Sequence, residues 1–126
     1  MRLLLDTVTF IQAISNSRSL SRRLISLLDS PESIRELSSV SITEIAIKRN
    51  LGKLELSREQ VVQGIEDFRV RVLNFTAAHA LQLFGLPRHH DDPFDRQIIA
   101  QAVSERIPIV TSDKAFHKYK GLTVVS

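Results

Sequence analysis

Leu3-Leu4-Leu5 is an unbroken aliphatic run with Arg2 before it and Asp6 directly behind it. A run this short, bounded by charge and lacking any polar position, suits a strand buried on both faces. Such strands belong to parallel sheets covered by helices on either side. Ile107-Pro108-Ile109-Val110-Thr111 and Leu122-Thr123-Val124-Val125 read the same way, being short and rich in β-branched residues. Residues 70–75 form a weaker strand candidate. Residues 36–40 are weaker still, because Ser38 and Ser39 dilute the apolar character.

Helical patterns lie between these runs. Leu20, Leu24, Ile25, Leu27 and Leu28 make a wide apolar stripe behind a Ser19 cap, and Pro31 ends it. Ser41 is read as the start of the next helix, which ends near Leu51 with Gly52 following. Ser57 opens another, with Val61, Val62, Ile65 and Phe68 on one face. Thr76 opens a helix closed by Gly85 and Pro87. Asp92-Pro93 starts a helix through Glu105, whose inner face is Phe94, Ile98, Ile99, Ala102 and Val103. Strands alternating with helices predict crossover units, hence a three-layer α/β/α fold around a mainly parallel sheet of four to five strands. In such sheets the ligand site lies beyond the carboxyl ends of the strands.

A length of 126 residues fits one domain, 1–126. The absence of cysteine excludes disulfides, thiolate metal sites and cysteine nucleophiles, and fits a cytoplasmic protein. The net charge of +3 is mildly basic and compatible with a nucleic-acid partner. No apolar run is long enough for a membrane span, and the N-terminal one stops at Asp6, well short of a signal-peptide core.

The acids then stand out by position. Asp6 follows the first strand. Asp113 follows the Ile107–Thr111 strand, and Glu44 and Asp95 fall in the first turns of two helices. All four are therefore expected at one rim. Each also has a structural role open to it. Ser41-Ile42-Thr43-Glu44 has the form of a capping box, and Glu44 can pair with Lys48 four residues on. Asp95 gains from its helix N-terminus, and Asp113 can cap residues 114–118. Asp95, however, shares the inward face of Ile98 and Ile99, where a carboxylate is rarely found without a partner or a metal. Asp6 sits hard against the buried run. Two charges about 4 Å apart cost about 4 kcal/mol at an effective dielectric near 20. A divalent cation removes that repulsion, and oxygen donors without cysteine favour Mg²⁺, with Mn²⁺ as the second choice.

LLLDT at 3–7, SITEIAIKRNLGKLEL at 41–56, RHHDDPFDRQIIAQA at 88–102 and PIVTSD at 108–113, in this order, resemble the PIN-domain nucleases and, within them, the VapC-type toxins of toxin–antitoxin pairs. The resemblance runs over most of the chain. It implies an α/β/α PIN-like fold and a Mg²⁺-dependent endoribonuclease toxin of a type II system. The catalytic acids would be Asp6, Glu44, Asp95 and Asp113, with Asp6, Asp95 and Asp113 holding the metal. Thr7, Asp92, Thr111 and Ser112 would be accessory. Arg88, Arg96 and Lys114 would grip RNA at the rim. A homodimer and a cognate antitoxin protein are implied as well, and the aliphatic stripe at 20–28 is a candidate groove for the antitoxin. Val8 departs from the pattern, which often has His there.

Other functions fit less well. A catalytically silent PIN-like module that binds RNA or protein would not need the complete quartet. A receiver domain wants an acidic pair after the first strand, and a haloacid-dehalogenase phosphatase wants Asp-x-Asp where Asp6-Thr7-Val8 stands. His89-His90-Asp91-Asp92 invites a zinc reading, but adjacent ligands seldom converge on one ion and no second His pair has suitable spacing. His79 and His117 read as surface or packing residues.

Overall fold

The computed structural model describes residues 1–126. Five parallel strands form one sheet: β1 (Arg2–Leu5), β2 (Ile34–Ser38), β3 (Arg71–Leu73), β4 (Ile109–Val110) and β5 (Val124–Val125), in the order β3-β2-β1-β4-β5. Six helices accompany them: α1 (Thr7–Ser15), α2 (Arg22–Asp29), α3 (Ser39–Asn50), α4 (Arg58–Asp67), α5 (Ala77–Gln82) and α6 (Pro93–Glu105).

The Leu3–Leu5 run is the central strand. Its alternation divides the core: Leu3 and Leu5 face Phe10, Leu24, Leu28, Ile45 and Val61 on one side of the sheet. Leu4 faces Ile98, Ile99, Ala102, Phe116 and Tyr119 on the other. All three leucines have no exposed surface, which is why the run contains no polar residue. The result is the three-layer α/β/α arrangement that the alternating pattern predicts.

Several boundaries differ from the sequence reading. Helix α1 was not anticipated, since Thr7-Val8-Thr9 is β-branched and favours strands; it forms because Asp6 caps it, accepting from the Thr9 amide at 2.8 Å. The weakest strand candidate, β2, pairs along its length with β1. Its buried Glu36 is tolerated because the Arg2 guanidinium donates to both carboxylate oxygens, at 2.6 and 3.0 Å. Arg2 also reaches Glu105 at 3.4 Å, and Glu105 meets the buried His79 at 3.0 Å, so His79 is a packing residue joining α5 to α6. Helix α2 is capped by Ser21 rather than Ser19, and α3 by Ser38 rather than Ser41.

The chain builds β1, β2 and β3 outward in one direction, then crosses to place β4 and β5 on the other side of β1. The strand order thus reverses between β1 and β4. Crevices at such reversals, beyond the carboxyl ends of the strands, are where open α/β sheets take ligands.

Helix α4 approaches α1 closely. A Cβ placed on the buried Gly64 would lie 2.7 Å from Cγ2 of Ile14 and 3.0 Å from its Cβ. In an open helix Gly→Ala would stabilise by up to about 1 kcal/mol. Here overpacking, at about 1–3 kcal/mol, outweighs that gain. Gly64→Ala should therefore lower the urea midpoint at unchanged m-value, and a rise in midpoint would contradict this packing.

Candidate active site

Asp6 is delivered to the reversal point by β1 and is 5% exposed. Its Oδ1 accepts from the Thr9 amide, and its Oδ2 accepts from the Thr111 hydroxyl at 2.5 Å. Thr111 follows β4, so this bond ties together the two strands that flank the crevice. Burial pushes the Asp6 carboxyl above the usual carboxylate range, while these hydrogen bonds oppose the shift and nearby Asp113 adds to it.

Asp113 caps the short turn Lys114–Lys118, accepting from the Ala115 amide at 2.9 Å. Its other oxygen lies 3.2 Å from Nε2 of His90. The Ala115 amide, followed by His90, holds this carboxyl below its ordinary value despite some burial.

Helix α6 runs back along the sheet to β4, so its N-terminus lies at the same rim. Asp92 is its cap, accepting from the amides of Phe94 and Asp95 at 2.8 and 3.2 Å. Asp95 follows in the first turn. Its carboxyl is pushed up to about 7, first by burial, then by the charges of Asp92, Glu44 and Asp6; His90 pulls the other way. Donor atoms of His90, Asp95 and Asp113 all lie within 4.8 Å of one another.

Glu44 corrects the capping-box reading. Because α3 starts at Ser39, Glu44 is in the second turn and does not cap. It is 4% exposed. One oxygen accepts from the Lys48 ammonium at 2.5 Å, while Oε1 is buried without a partner. An unpartnered buried carboxylate oxygen is costly, and its negative charge reaches Asp95. Lys48 is raised mainly by its bond to Glu44, with Asp92 and Asp95 contributing. Only this one lysine relieves the acids from the α3 side.

Of the accessory residues, Thr7 is buried and donates to Ser41 at 2.8 Å, fixing α1 to α3. Thr111 holds Asp6 and also accepts from the Asp113 amide at 3.0 Å. Ser112 is exposed at the rim. Arg88 is exposed near Asp91, and Lys114 is exposed beside Asp113. Arg96 differs: its guanidinium donates to the carbonyls of Leu86 and Pro87, at 3.2 and 2.9 Å, so it shapes the segment leading to His90. His90 is the site residue that the sequence reading missed. The His-His pair splits, with His89 exposed and His90 turned inward against Phe116 and Tyr119.

The donor set fits a divalent cation. The half-buried Asp95 feels the charges of Asp92, Glu44 and Asp6 and is shifted to about 7, and a carboxylate oxygen of the buried Glu44 lacks a partner. A cation beside Asp95 and Asp113 would offset the negative charge that raises Asp95.

The PIN-domain family pattern matches residues 3–122. No curated protein matches the chain in sequence. Among solved structures, a chain of VapBC2 from Rickettsia felis bound to a promoter DNA fragment superposes with a TM-score of 0.76 at 20% identity, covering 99% of this chain and 98% of that one. A chain of DNA-bound VapBC from Salmonella typhimurium gives 0.70 at 21% identity, with 99% and 97% covered. One from VapBC-1 of nontypeable Haemophilus influenzae gives 0.70 at 24% identity, with 100% and 98% covered.

The Asp95 shift has a consequence for stability. Between the ordinary value of 3.8 and about 7, the folded state holds a proton on Asp95 that the unfolded state has lost. Its contribution is therefore present at low pH and is lost as pH rises through about 7. With chelator present, Asp95→Asn should melt above wild type at pH 8, and the gap should close toward pH 4. Parallel profiles would refute the shift.

Proposed function

The chain belongs to the PIN-domain family, and from that premise we propose that it is a divalent-cation-dependent endoribonuclease acting as the toxin of a toxin–antitoxin pair. The observation that supports this reading is the close approach of Asp95 and Asp113 donor atoms, within 4.8 Å, beyond the strand ends, with the charges of Glu44 and Asp6 acting on Asp95.

In this reading Asp6, Asp95 and Asp113 hold the ion, with Mg²⁺ and Mn²⁺ both suited to the oxygen donors. A bound divalent cation makes water more acidic and neutralises charge on the scissile phosphate. Asp6 can serve because its two oxygens are fixed by Thr9 and Thr111 and each keeps a lone pair. Glu44 presents its unpartnered Oε1 as the acceptor that orients, or takes a proton from, the attacking water. Lys48 occupies the other Glu44 oxygen. Asp92 acts through the cap that sets the start of α6, and so the position of Asp95.

RNA, the proposed substrate, would be drawn to this acidic rim by Arg88 and Lys114, both exposed. Arg96 supports the rim through the carbonyls it holds. A small antitoxin protein is the proposed partner, since the superposed relatives are VapBC chains. The stripe on α2 is half-used by the core: Leu24 and Leu28 are buried, Ile25 and Leu27 partly so, and Ala13, Leu20, Ile25 and Phe68 border a groove of about 300 Å³ beside it. The active form is proposed as a homodimer in the cytoplasm. No helix is long and apolar enough to cross a membrane.

Cleavage of a mixed RNA pool tests the activity. Wild type should cut with Mg²⁺ or Mn²⁺ and stop in excess chelator. Asp6→Asn and Asp95→Asn should lose more than about a hundredfold, since even outer partners of a metal ligand are worth about 10–100-fold. Cutting that persists in chelator would end the proposal; RNA binding without cutting would make the protein a silent module.

Lys114→Ala should weaken RNA binding and reduce the slope of log affinity against log salt by about 0.7, the value for one phosphate contact on a single strand. An unchanged slope would remove Lys114 from the interface.

A further inference from the structure

His90 has no part in the acidic quartet, yet it is built into the same site. Its ring stacks on Tyr119 at 5.7 Å with a 17° tilt and meets Phe116 edge-on at 4.9 Å. Both neighbours are buried, so the imidazole has little freedom. Nδ1 lies 3.4 Å from the Tyr119 hydroxyl, and Nε2 points at Asp113, 3.2 Å away. The Tyr119 hydroxyl also accepts from the His89 amide at 3.2 Å. It can take a second hydrogen bond, from Nδ1–H. Nε2 then donates to Asp113 while no ion is present, and an ion bound between them would displace that proton and take the Nε2 lone pair.

This is the arrangement expected of a metal-ligating histidine. One ring nitrogen is tied by an outer hydrogen bond that sets ring orientation and tautomer, and the other faces the ion. The bond to Asp113 alone would account for His90 as a structural residue. Two observations reach further. Asp95 brings a donor atom into the same 4.8 Å set. Glu44, whose charge acts on Asp95, keeps a buried oxygen without a partner. Shared hydrogen bonds leave this cluster short of positive charge.

We propose that His90 is a nitrogen ligand of the divalent-cation site, beside Asp95 and Asp113, and that this donor makes the site favour Mn²⁺ over Mg²⁺. The proposal rests on the carboxylate cluster binding a divalent ion at all. Mg²⁺ demands oxygen ligands and gives up its waters reluctantly, so a fixed imidazole adds little for it. Mn²⁺ takes the same carboxylates and, as a transition-metal ion that exchanges its waters more readily, tolerates a nitrogen donor better than Mg²⁺ does.

The test is Mn²⁺ bound to the intact, catalytically unassayed protein. Pulsed electron paramagnetic resonance should show nitrogen coupling from a directly bound imidazole in wild type and none in His90→Ala. In calorimetric titrations His90→Ala should weaken Mn²⁺ by about tenfold or more while changing Mg²⁺ by less than about threefold. Tyr119→Phe, which keeps the ring packing and removes the hydroxyl, should weaken Mn²⁺ and spare Mg²⁺ in the same sense. Bound Mn²⁺ without nitrogen coupling, or coupling that survives His90→Ala, would overturn the ligand role and leave the carboxylate site standing. Failure of wild type to bind either ion would overturn this proposal and the nuclease reading together.

Discussion

Mutual repulsion among carboxylates brought to one rim of the sheet is the constraint around which this molecule is arranged. The fold cannot avoid it. Asp6 leaves the central strand, Asp113 follows its neighbour, and α6 must begin at the same rim to run back and feed β4. Local devices hold the acids in place. Amides of Thr9, Phe94, Asp95 and Ala115 each donate to a carboxylate, the Thr111 hydroxyl donates to Asp6, and Lys48 neutralises Glu44. These contacts fix geometry but leave Asp95 shifted to about 7 and one Glu44 oxygen unserved. Such residual frustration is a mark of functional sites rather than of surface decoration.

At the other end of the sheet, the buried charges are resolved within the protein. Arg2 meets Glu36 with two hydrogen bonds and reaches Glu105, which in turn meets His79. Glu105 is accordingly held below its ordinary value, chiefly by His79 and Arg2. In this cluster each charge meets an opposite partner, and it serves as a brace between β1, β2, α5 and α6. The other is open and calls for a partner from outside. The contrast separates a structural ion network from a candidate reaction centre without appeal to sequence likeness.

The parts of this design that were legible in the sequence are those decided by local pattern. The Leu3–Leu5 run needed no other segment to declare itself a covered strand, and Asp95 three and four residues ahead of Ile98 and Ile99 marked an inward-facing acid. What escaped was decided by distant partners. Strand β2 carries Glu36, acceptable only because Arg2 lies opposite in the neighbouring strand. Helix α1 overrides the β-branched Thr7-Val8-Thr9 through the Asp6 cap and the burial of Phe10. Glu44 has the position of half a capping box, but the helix cap lies one turn earlier, at Ser38. His90 was hidden by adjacency to His89. Tyr119, some thirty positions later, touches both rings, and only Phe116 and Asp113 single out His90 as the one turned inward.

The two outermost strands are short, three residues in β3 and two in β5. Each offers a foreign backbone little more than one or two free amides and carbonyls to pair with. Continuous sheets between copies, and the fibrous association they lead to, find almost no template here. Edges this short favour association through side chains in grooves and on helix faces, where shape and charge can be discriminated. An assembly made that way can be tight and still come apart on cue.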